Sequence, residues 1–437
     1  MTVAATTDRL PAIAGALREA ARRFGTPLYV TDDVALGGAV DELRAAFPDP
    51  WIRQYSVKAN DVPAVIERVT RAGRSLGANV VSRGEWAAAR AAGVPNERIT
   101  LEGVGKSDGD LAAAVRASAR GEPLLWTALE SPEEADALLD RARRAGVGLG
   151  GVPAVDVLLR LNPEVSPETQ AVLAVGAGGS KFGMTETALS TTVERLAAAG
   201  GAIRPRGIHL HVGSQLGAVD AWRDAVRRGV ALLGLLRGGL PDVDTLDVGG
   251  GFAVVEPAGG APRPERFARE LPELLESIPA ARRPSRFAIE PGRFVVARAG
   301  WLVGRVLHVR DRGGPQLVLD TGMTELIRPA LYGVDHPIVA LTANGAPVDG
   351  TAGALEPAAV HGPICESTDA LGEHSLPPLR RGDLVAISDA GAYGTSQSST
   401  YNGRPRPPQV ILEANGRLVL GRPRGRIAAM AGRSLGR

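Results

Sequence analysis

The chain has 437 residues, 44% of them hydrophobic and 22% charged, which is the composition of a globular protein with more residues than one ordinary core holds. A formal charge of +2 gives no basic footprint for nucleic acid, and the single cysteine, Cys365, excludes an intrachain disulfide framework and fits a reducing compartment. No run approaches the ~20 apolar residues of a membrane span, and Asp8 and Arg9 interrupt any leader-like start, so a cytoplasmic protein is expected.

Leu10, Ile13, Leu17 and Phe24 recur at helical spacing and predict an amphipathic first helix, with a short strand at Leu28–Val30 after it. Strands are then expected at Trp51–Val57, Ser75–Val81, Arg98–Gly103, Leu124–Thr127, Val155–Leu161, Gly207–Val212, Thr245–Val248 and Arg286–Glu290. Helical patterns fall between them at Pro63–Gly73, Gly84–Ala92, Leu111–Ala117, Pro132–Ala145, Ala188–Ala199 and Ala221–Leu236. The strands are rich in Val, Ile and Leu on both faces, as in a parallel sheet covered by helices. Eight βα units point to a TIM barrel, with an open doubly wound sheet as the alternative.

After Gly300 the helical periodicity fades. Short strands between Gly and Pro turns are expected at Trp301–Val309, Gln316–Asp320, Pro337–Leu341, Asp383–Ile387, Gln409–Glu413 and Leu418–Gly421, a mostly antiparallel β-domain. The expected division is residues 1–31, a helix and strand joining the β-domain, residues 32–298, the barrel, and residues 299–437, the β-domain. No structure is assigned to the basic tail Arg422–Arg437.

Chemistry in a barrel sits at the C-terminal ends of its strands. The first expected strand runs into Tyr55-Ser56-Val57-Lys58-Ala59-Asn60. A desolvated lysine there is an amine nucleophile able to condense with an aldehyde, whereas a bland lysine would snorkel out of the barrel mouth. The sixth ends in His209-Leu210-His211-Val212-Gly213-Ser214-Gln215, the seventh in Asp247-Val248-Gly249-Gly250-Gly251-Phe252, and the eighth in Glu290-Pro291-Gly292-Arg293. Three successive glycines present backbone N–H groups to an anion, and Ser214 and Arg293 would add a donor and a charge. Alone, the glycines are a turn and His211 a core histidine. Together with Lys58 they describe a phosphorylated aldehyde cofactor, pyridoxal 5'-phosphate.

The motifs YSVKAN, HLHVGSQ, DVGGGF, EPGR, IRPALY, GPICES and GAYG occur here in the order of the alanine racemase-like (fold type III) pyridoxal phosphate decarboxylases, which the chain resembles from about Thr26 to Val410. Within that family it is most similar to the diaminopimelate decarboxylases. The resemblance implies an α/β fold, a pyridoxal phosphate-binding (β/α)8 barrel plus a mostly antiparallel β-domain, working as a head-to-tail homodimer with shared active sites. It implies that Lys58 holds the cofactor, that His211 stacks on its ring, and that Glu290 pairs with the ring nitrogen. Ser214, Gly250, Gly251, Gly292, Arg293 and Tyr393 would surround the phosphate, with Arg293 and Tyr393 also reaching substrate. Arg328 and Tyr332 would take a distal carboxylate. Glu366 would bind substrate in the partner subunit's site, and Cys365 would return a proton there. For Arg328 the bland reading is a solvated arginine in a polar turn, and for Tyr401 and Asn402 it is a role in the dimer interface alone.

The implied reaction is decarboxylation of an amino acid, with meso-diaminopimelate placed first. A pathway-specific decarboxylase of carrier-linked glutamate, ornithine or lysine is the alternative. Departures from the family pattern favour the latter: Asn79 replaces an aspartate, Gly103-Val104-Gly105-Lys106-Ser107 lacks two amides, and Ser399-Thr400-Tyr401-Asn402-Gly403-Arg404-Pro405 and the charged tail differ. A barrel-only cofactor-binding protein would lack the β-domain, a racemase would carry its catalytic tyrosine in another motif, and a noncatalytic relative would have lost Lys58 or Cys365. No metal, nucleic acid or membrane partner is expected.

Overall fold

The structure is a computed structural model that describes residues 9–71, 74, 76–166, 169, 176, 179–254, 261–348 and 354–431. It separates into two compact units, one of residues 40–58 and 69–294, the other of residues 1–39, 59–68 and 295–437. After strand β1 (Leu28–Asp32), eight strands make up the first unit's sheet: β2 (Ile52–Ser56), β3 (Gly77–Val80), β4 (Ile99–Leu101), β5 (Trp126–Leu129), β6 (Val155–Arg160), β7 (Ile203–His209), β8 (Thr245–Asp247) and β9 (Arg286–Ile289). All neighbours are parallel, and β9 returns to β2 through Ile52 opposite Ala288, so the sheet closes. Closure rules out the open doubly wound alternative.

Local chemistry starts the helices around this barrel. Ser82, Ser107, Ser131 and Thr185 each accept a backbone N–H from the first turn of the following helix, at Glu85, Asp110, Glu134 and Ala188. Each supplies an acceptor for one of the N–H donors a helix start leaves unpaired, a contribution of about 1 kcal/mol per cap. Ser107 and Asp110 form a reciprocal capping box.

β7 starts four residues earlier than its sequence suggests, because Pro205 falls inside it. Proline cannot donate to the ladder, and the register with β6 shifts between Val157 and Leu158 beside it. Several strands also end sooner than expected, at His209, Asp247 and Ile289. His211, Gly249–Gly251 and Glu290 therefore stand on the loops just past the strand ends.

In the other unit, the helix Leu10–Phe24 starts with Pro11 in its first turn, buries Ile13, Leu17, Ala20 and Ala21, and stops at Gly25, whose φ of +70° suits glycine. Its buried face joins Leu28 and Val30 of β1 with Trp301, Val303 and Val410 in one apolar cluster. The remaining strands are β10 (Gly300–Asp311), β11 (Pro315–Leu319), β12 (Ile338–Ala340), β13 (Thr342–Ala343), β14 (Ala346–Pro347), β15 (Glu356–His361), β16 (Ala370–Leu376), β17 (Leu384–Ile387), β18 (Gln409–Leu412) and β19 (Leu418–Arg422). β1 pairs antiparallel with β10 and parallel with β18, and most other pairs are antiparallel. Among the described residues no helix is long and apolar enough to cross a membrane.

Candidate active site

The barrel strands end in polar side chains. Ser56 closes β2, Asn79 stands next to last in β3, Glu102 and Glu130 follow β4 and β5, Arg160 and His209 close β6 and β7, Asp247 closes β8, and Glu290 follows β9. All eight are buried. The parallel register fixes their level, since it aligns Arg160 with His209 and His209 with Asp247.

Within this ring Glu102, His209 and Glu290 converge. His209 Nε2 lies 3.6 Å from Glu102 Oε2 and 3.4 Å from Glu290 Oε1, and one polar atom from each residue falls within 4.8 Å of the others. Burial first, and then the charge of Glu290, push the Glu102 carboxyl up to about 8. Asp247 is raised well above the ordinary aspartate range, by burial and by the neighbouring Glu290 and Glu102. Burial pulls His209 down to about 4, against the opposing pull of Glu102. Beside them, Arg160 Nη1 pairs with Glu130 Oε1 at 2.7 Å, while Glu130 Oε2 accepts the Gly183 N–H at 2.9 Å. Burial works against ionised Glu130, but Arg160 outweighs it and holds the carboxyl below its usual value.

The EPGR loop is tied to β2, where Ser56 Oγ donates to the Glu290 carbonyl at 3.0 Å and the Ser56 N–H to that of Pro291 at 3.1 Å. One buried arginine, Arg293, donates to Ser214 Oγ from Nε and Nη2 at 3.4 and 3.3 Å, so the expected anion ligands of two loops meet. Gly292 is buried between Glu290 and Arg293. Of the three glycines, Gly251 has a φ of +100°, and a Cβ on Gly250 would lie 2.4 Å from the Glu290 carbonyl oxygen. The Gly250 N–H donates to His211 Nδ1 at 3.2 Å, which makes Nδ1 the unprotonated nitrogen of a neutral ring. Burial and the Lys58 ammonium hold His211 well below its ordinary pKa in the same sense.

Of the two readings of Lys58, desolvated or reaching out of the barrel mouth, the structure has the exposed one. It sits on a single 3-10 turn, Val57–Ala59, immediately after β2, with its side chain exposed while Val57 and Ala59 are buried. The turn, not a buried strand end, carries the amine. Desolvation is therefore not the feature that marks it.

The β-domain unit carries its own set. Arg328 is buried on a short helix, Arg328–Tyr332, and its Nη1 donates to His336 Nε2 at 2.9 Å; His336 Nδ1 in turn donates to the Ser388 carbonyl at 3.0 Å. It is thus not the solvated turn arginine of the bland reading. Tyr332 on that helix is half-buried. The half-buried Tyr393 has a left-handed φ of +59°, and its N–H donates to the Ala59 carbonyl at 2.8 Å. Cys365 and Glu366 are exposed side by side. Asn402 Nδ2 donates to Cys365 Sγ at 3.3 Å, and the Tyr401 hydroxyl donates to Glu366 Oε1, so the two motifs STYNGRP and GPICES form one surface.

Sequence reasoning did not single out Glu102, Glu130 or Arg160, and named His209 and Asp247 only as parts of motifs. The available signal was a charged or polar residue closing one apolar strand after another.

Comparison with known proteins decides what this constellation belongs to. The family described as pyridoxal-dependent decarboxylase, pyridoxal binding domain, matches residues 38–297. The chain belongs to the pyridoxal-dependent decarboxylase family. It is 35% identical to diaminopimelate decarboxylase of Aquifex aeolicus over 93% of this chain and 91% of that one. To the diaminopimelate decarboxylase of Deinococcus radiodurans it is 36% identical, over 91% and 92%. The crystal structure of diaminopimelate decarboxylase from Helicobacter pylori complexed with L-lysine superposes with a TM-score of 0.84 at 27% identity, covering 96% of this chain and 99% of that one.

As a member of this family the chain is an amino-acid decarboxylase with pyridoxal phosphate as its cofactor. The barrel's residues fit that group: Gly250 and Gly251 leave no room for a Cβ, Arg293 and Ser214 converge as anion donors, and Glu290 Oε1 is buried without a hydrogen-bond partner among the described residues.

Proposed function

We propose that the chain decarboxylates meso-diaminopimelate to lysine. The similarity to diaminopimelate decarboxylases over nine-tenths of both chains carries this reading. When bound, pyridoxal phosphate draws electrons away from the substrate Cα as the carboxylate leaves as CO2. Lys58 would hold the cofactor through its exposed amine. His211 would present a neutral ring face to it, and Glu290 would serve the ring nitrogen. Ser214, Gly250, Gly251, Gly292, Arg293 and Tyr393 would bind the phosphate, with Arg293 and Tyr393 also touching substrate. Arg328, aligned by His336, and Tyr332 would bind the distal carboxylate. Glu366 would take the distal amine in the partner subunit's site, and Cys365, or else Lys58, would return the proton to Cα. A homodimer in the cytoplasm accommodates these roles, and an exposed cysteine without a disulfide is in keeping with a reducing compartment.

The test is CO2 release by the cofactor-loaded protein from meso-diaminopimelate, beside ornithine, lysine and both hands of glutamate. Release from diaminopimelate with lysine as product is expected. Lys58→Ala should abolish it together with the absorbance of lysine-bound cofactor. Silence with diaminopimelate, while Lys58 still holds the cofactor, would overturn the substrate and turn attention to a pathway-specific amino acid, as the departures at Asn79 and Gly103–Ser107 would then require.

A further inference from the structure

Tyr401 and Asn402 of the STYNGRP motif are exposed and belong to neither core. At Asn402 φ is +54° and at Gly403 +68°, two successive left-handed residues of the types that tolerate that conformation. Both side chains reach the GPICES loop of the same protomer. The Tyr401 hydroxyl donates to Glu366 Oε1, and Asn402 Nδ2 donates to Cys365 Sγ at 3.3 Å. Thr368 Oγ1 adds a donor to the other carboxylate oxygen, Glu366 Oε2, at 3.4 Å.

The main chain of that loop is held separately. Asp369 is 2% exposed, and its carboxylate accepts the Ile364 N–H at 2.7 Å and the Met323 N–H at 2.6 Å. The Gly362 N–H donates to the Asp369 carbonyl at 2.9 Å. Tyr401 and Asn402 therefore fix the side chains of Cys365 and Glu366 on a backbone already tied down. The donors suit their acceptors. A thiol sulfur accepts a hydrogen bond weakly and a thiolate strongly, so the Asn402 bond tightens as Sγ gives up its proton. Hydroxyl donors set the direction of a carboxylate without neutralising it, which leaves the Glu366 charge for an ammonium.

We propose that Asn402 and Tyr401 are positioning residues for the decarboxylation. Asn402 aims Cys365 Sγ and stabilises the thiolate left when its proton passes to Cα. The bond to the carboxylate breaks, the electron pair left by CO2 takes the Sγ proton as a new C–H bond, and water restores the thiol. Tyr401, with Thr368, fixes the Glu366 carboxylate for the distal amine. The proposal rests on the assignments of Cys365 and Glu366 made above.

Decarboxylation of meso-diaminopimelate by the cofactor-loaded protein in D2O tests both roles. Wild type should place deuterium in one prochiral position of the carbon that loses CO2, because a fixed thiol delivers from one face. Asn402→Gly should spread it over both positions, read by NMR of the product, and glycine keeps the left-handed backbone so that only the side chain is lost. In Asn402→Gly kcat should fall about tenfold with KM within about twofold of wild type. Tyr401→Phe should raise KM about fivefold and leave kcat and the deuterium position unchanged. A single deuterium position in Asn402→Gly, while Cys365→Ala is inactive, would overturn the role of Asn402. A wild-type KM in Tyr401→Phe, while Glu366→Gln raises KM, would overturn that of Tyr401. Full turnover in Cys365→Ala and an unchanged KM in Glu366→Gln would instead remove the assignments beneath the proposal, and the proposal with them. Weaker dimer assembly with unchanged kinetics of the assembled dimer would make the two residues part of an interface alone and overturn it as well.

Discussion

Asn79 and Glu102 are best understood together. They stand at the ends of adjacent strands, where Asn79 pairs in register with Thr100, two residues before Glu102. With Glu102, Glu290 and Asp247 already buried in one cluster, a carboxylate at position 79 would be a fourth. An amide there is the uncharged isostere. Asn79→Asp is expected to destabilise the cofactor-free protein by about 1–3 kcal/mol at alkaline pH. The loss should shrink as pH falls toward about 3.9, the unfolded-state value of aspartate, below which the added acid is protonated in both states. Thermal melts across that range check it, and an unchanged melting temperature at both ends would separate Asn79 from the cluster. Arg328 shows the same dependence on neighbours: buried arginine is tolerated because His336 and, through it, the Ser388 carbonyl fix its guanidinium.

At the scale of elements, the loops after β7, β8 and β9 act as one cradle. The Gly251 carbonyl accepts the Leu216 N–H at 3.0 Å, and the Gly249 carbonyl accepts the Glu290 N–H at 2.9 Å, so each loop braces the next. Gly250→Ala would drive a Cβ against the Glu290 carbonyl, with neither backbone able to give way cheaply. Cofactor affinity, measured by fluorescence titration, should fall at least about tenfold, and the melting temperature of the cofactor-free protein should fall as well. The GVGKS turn has a structural explanation that needs no ligand. Ser107 caps the helix Asp108–Ala119, and Lys106 Nζ pairs with Glu134 Oε1 at 3.0 Å.

For the whole molecule, the buried cluster links folding to pH. Glu102, raised from 4.5 to about 8, favours the folded state at low pH, and that contribution is lost as pH rises from about 4.5 through about 8. His209, lowered from 6.5 to about 4, acts in the opposite sense, adding stability above 6.5 that is lost as pH falls toward about 4. The two cancel between about 4.5 and 6.5, and Asp247 reinforces Glu102. Denaturant melts of the cofactor-free protein should therefore weaken from about pH 6.5 to 8, and Glu102→Gln should flatten that decline. If Cys365 serves the partner subunit's site, mixing inactive Lys58→Ala with inactive Cys365→Ala chains should restore roughly a quarter of wild-type turnover, because half the dimers are mixed and each of these has one intact site. No recovery after verified subunit exchange would place Cys365 outside the shared site.

The sequence by itself determined the barrel, because alternating apolar strands and amphipathic helices are local patterns that repeat along the chain. It also determined the cofactor chemistry, since Lys58, His211, the Gly249–Gly251 run and Glu290-Pro291-Gly292-Arg293 each sit within a short motif. It could not show β15 and β16, whose residues are half exposed and rich in alanine and charge, because those strands are defined by long-range pairing with β11 and with each other. It left open whether Lys58 is desolvated, and the 3-10 turn leaves it exposed. Only the tertiary structure brought together Glu102, His209, Asp247 and Glu290 from four strand ends, and Cys365 with Asn402 from separate loops. A periodicity reports which face of one element is buried. The charge balance of a site depends on distances between elements remote in the chain, and closure of the barrel sets those.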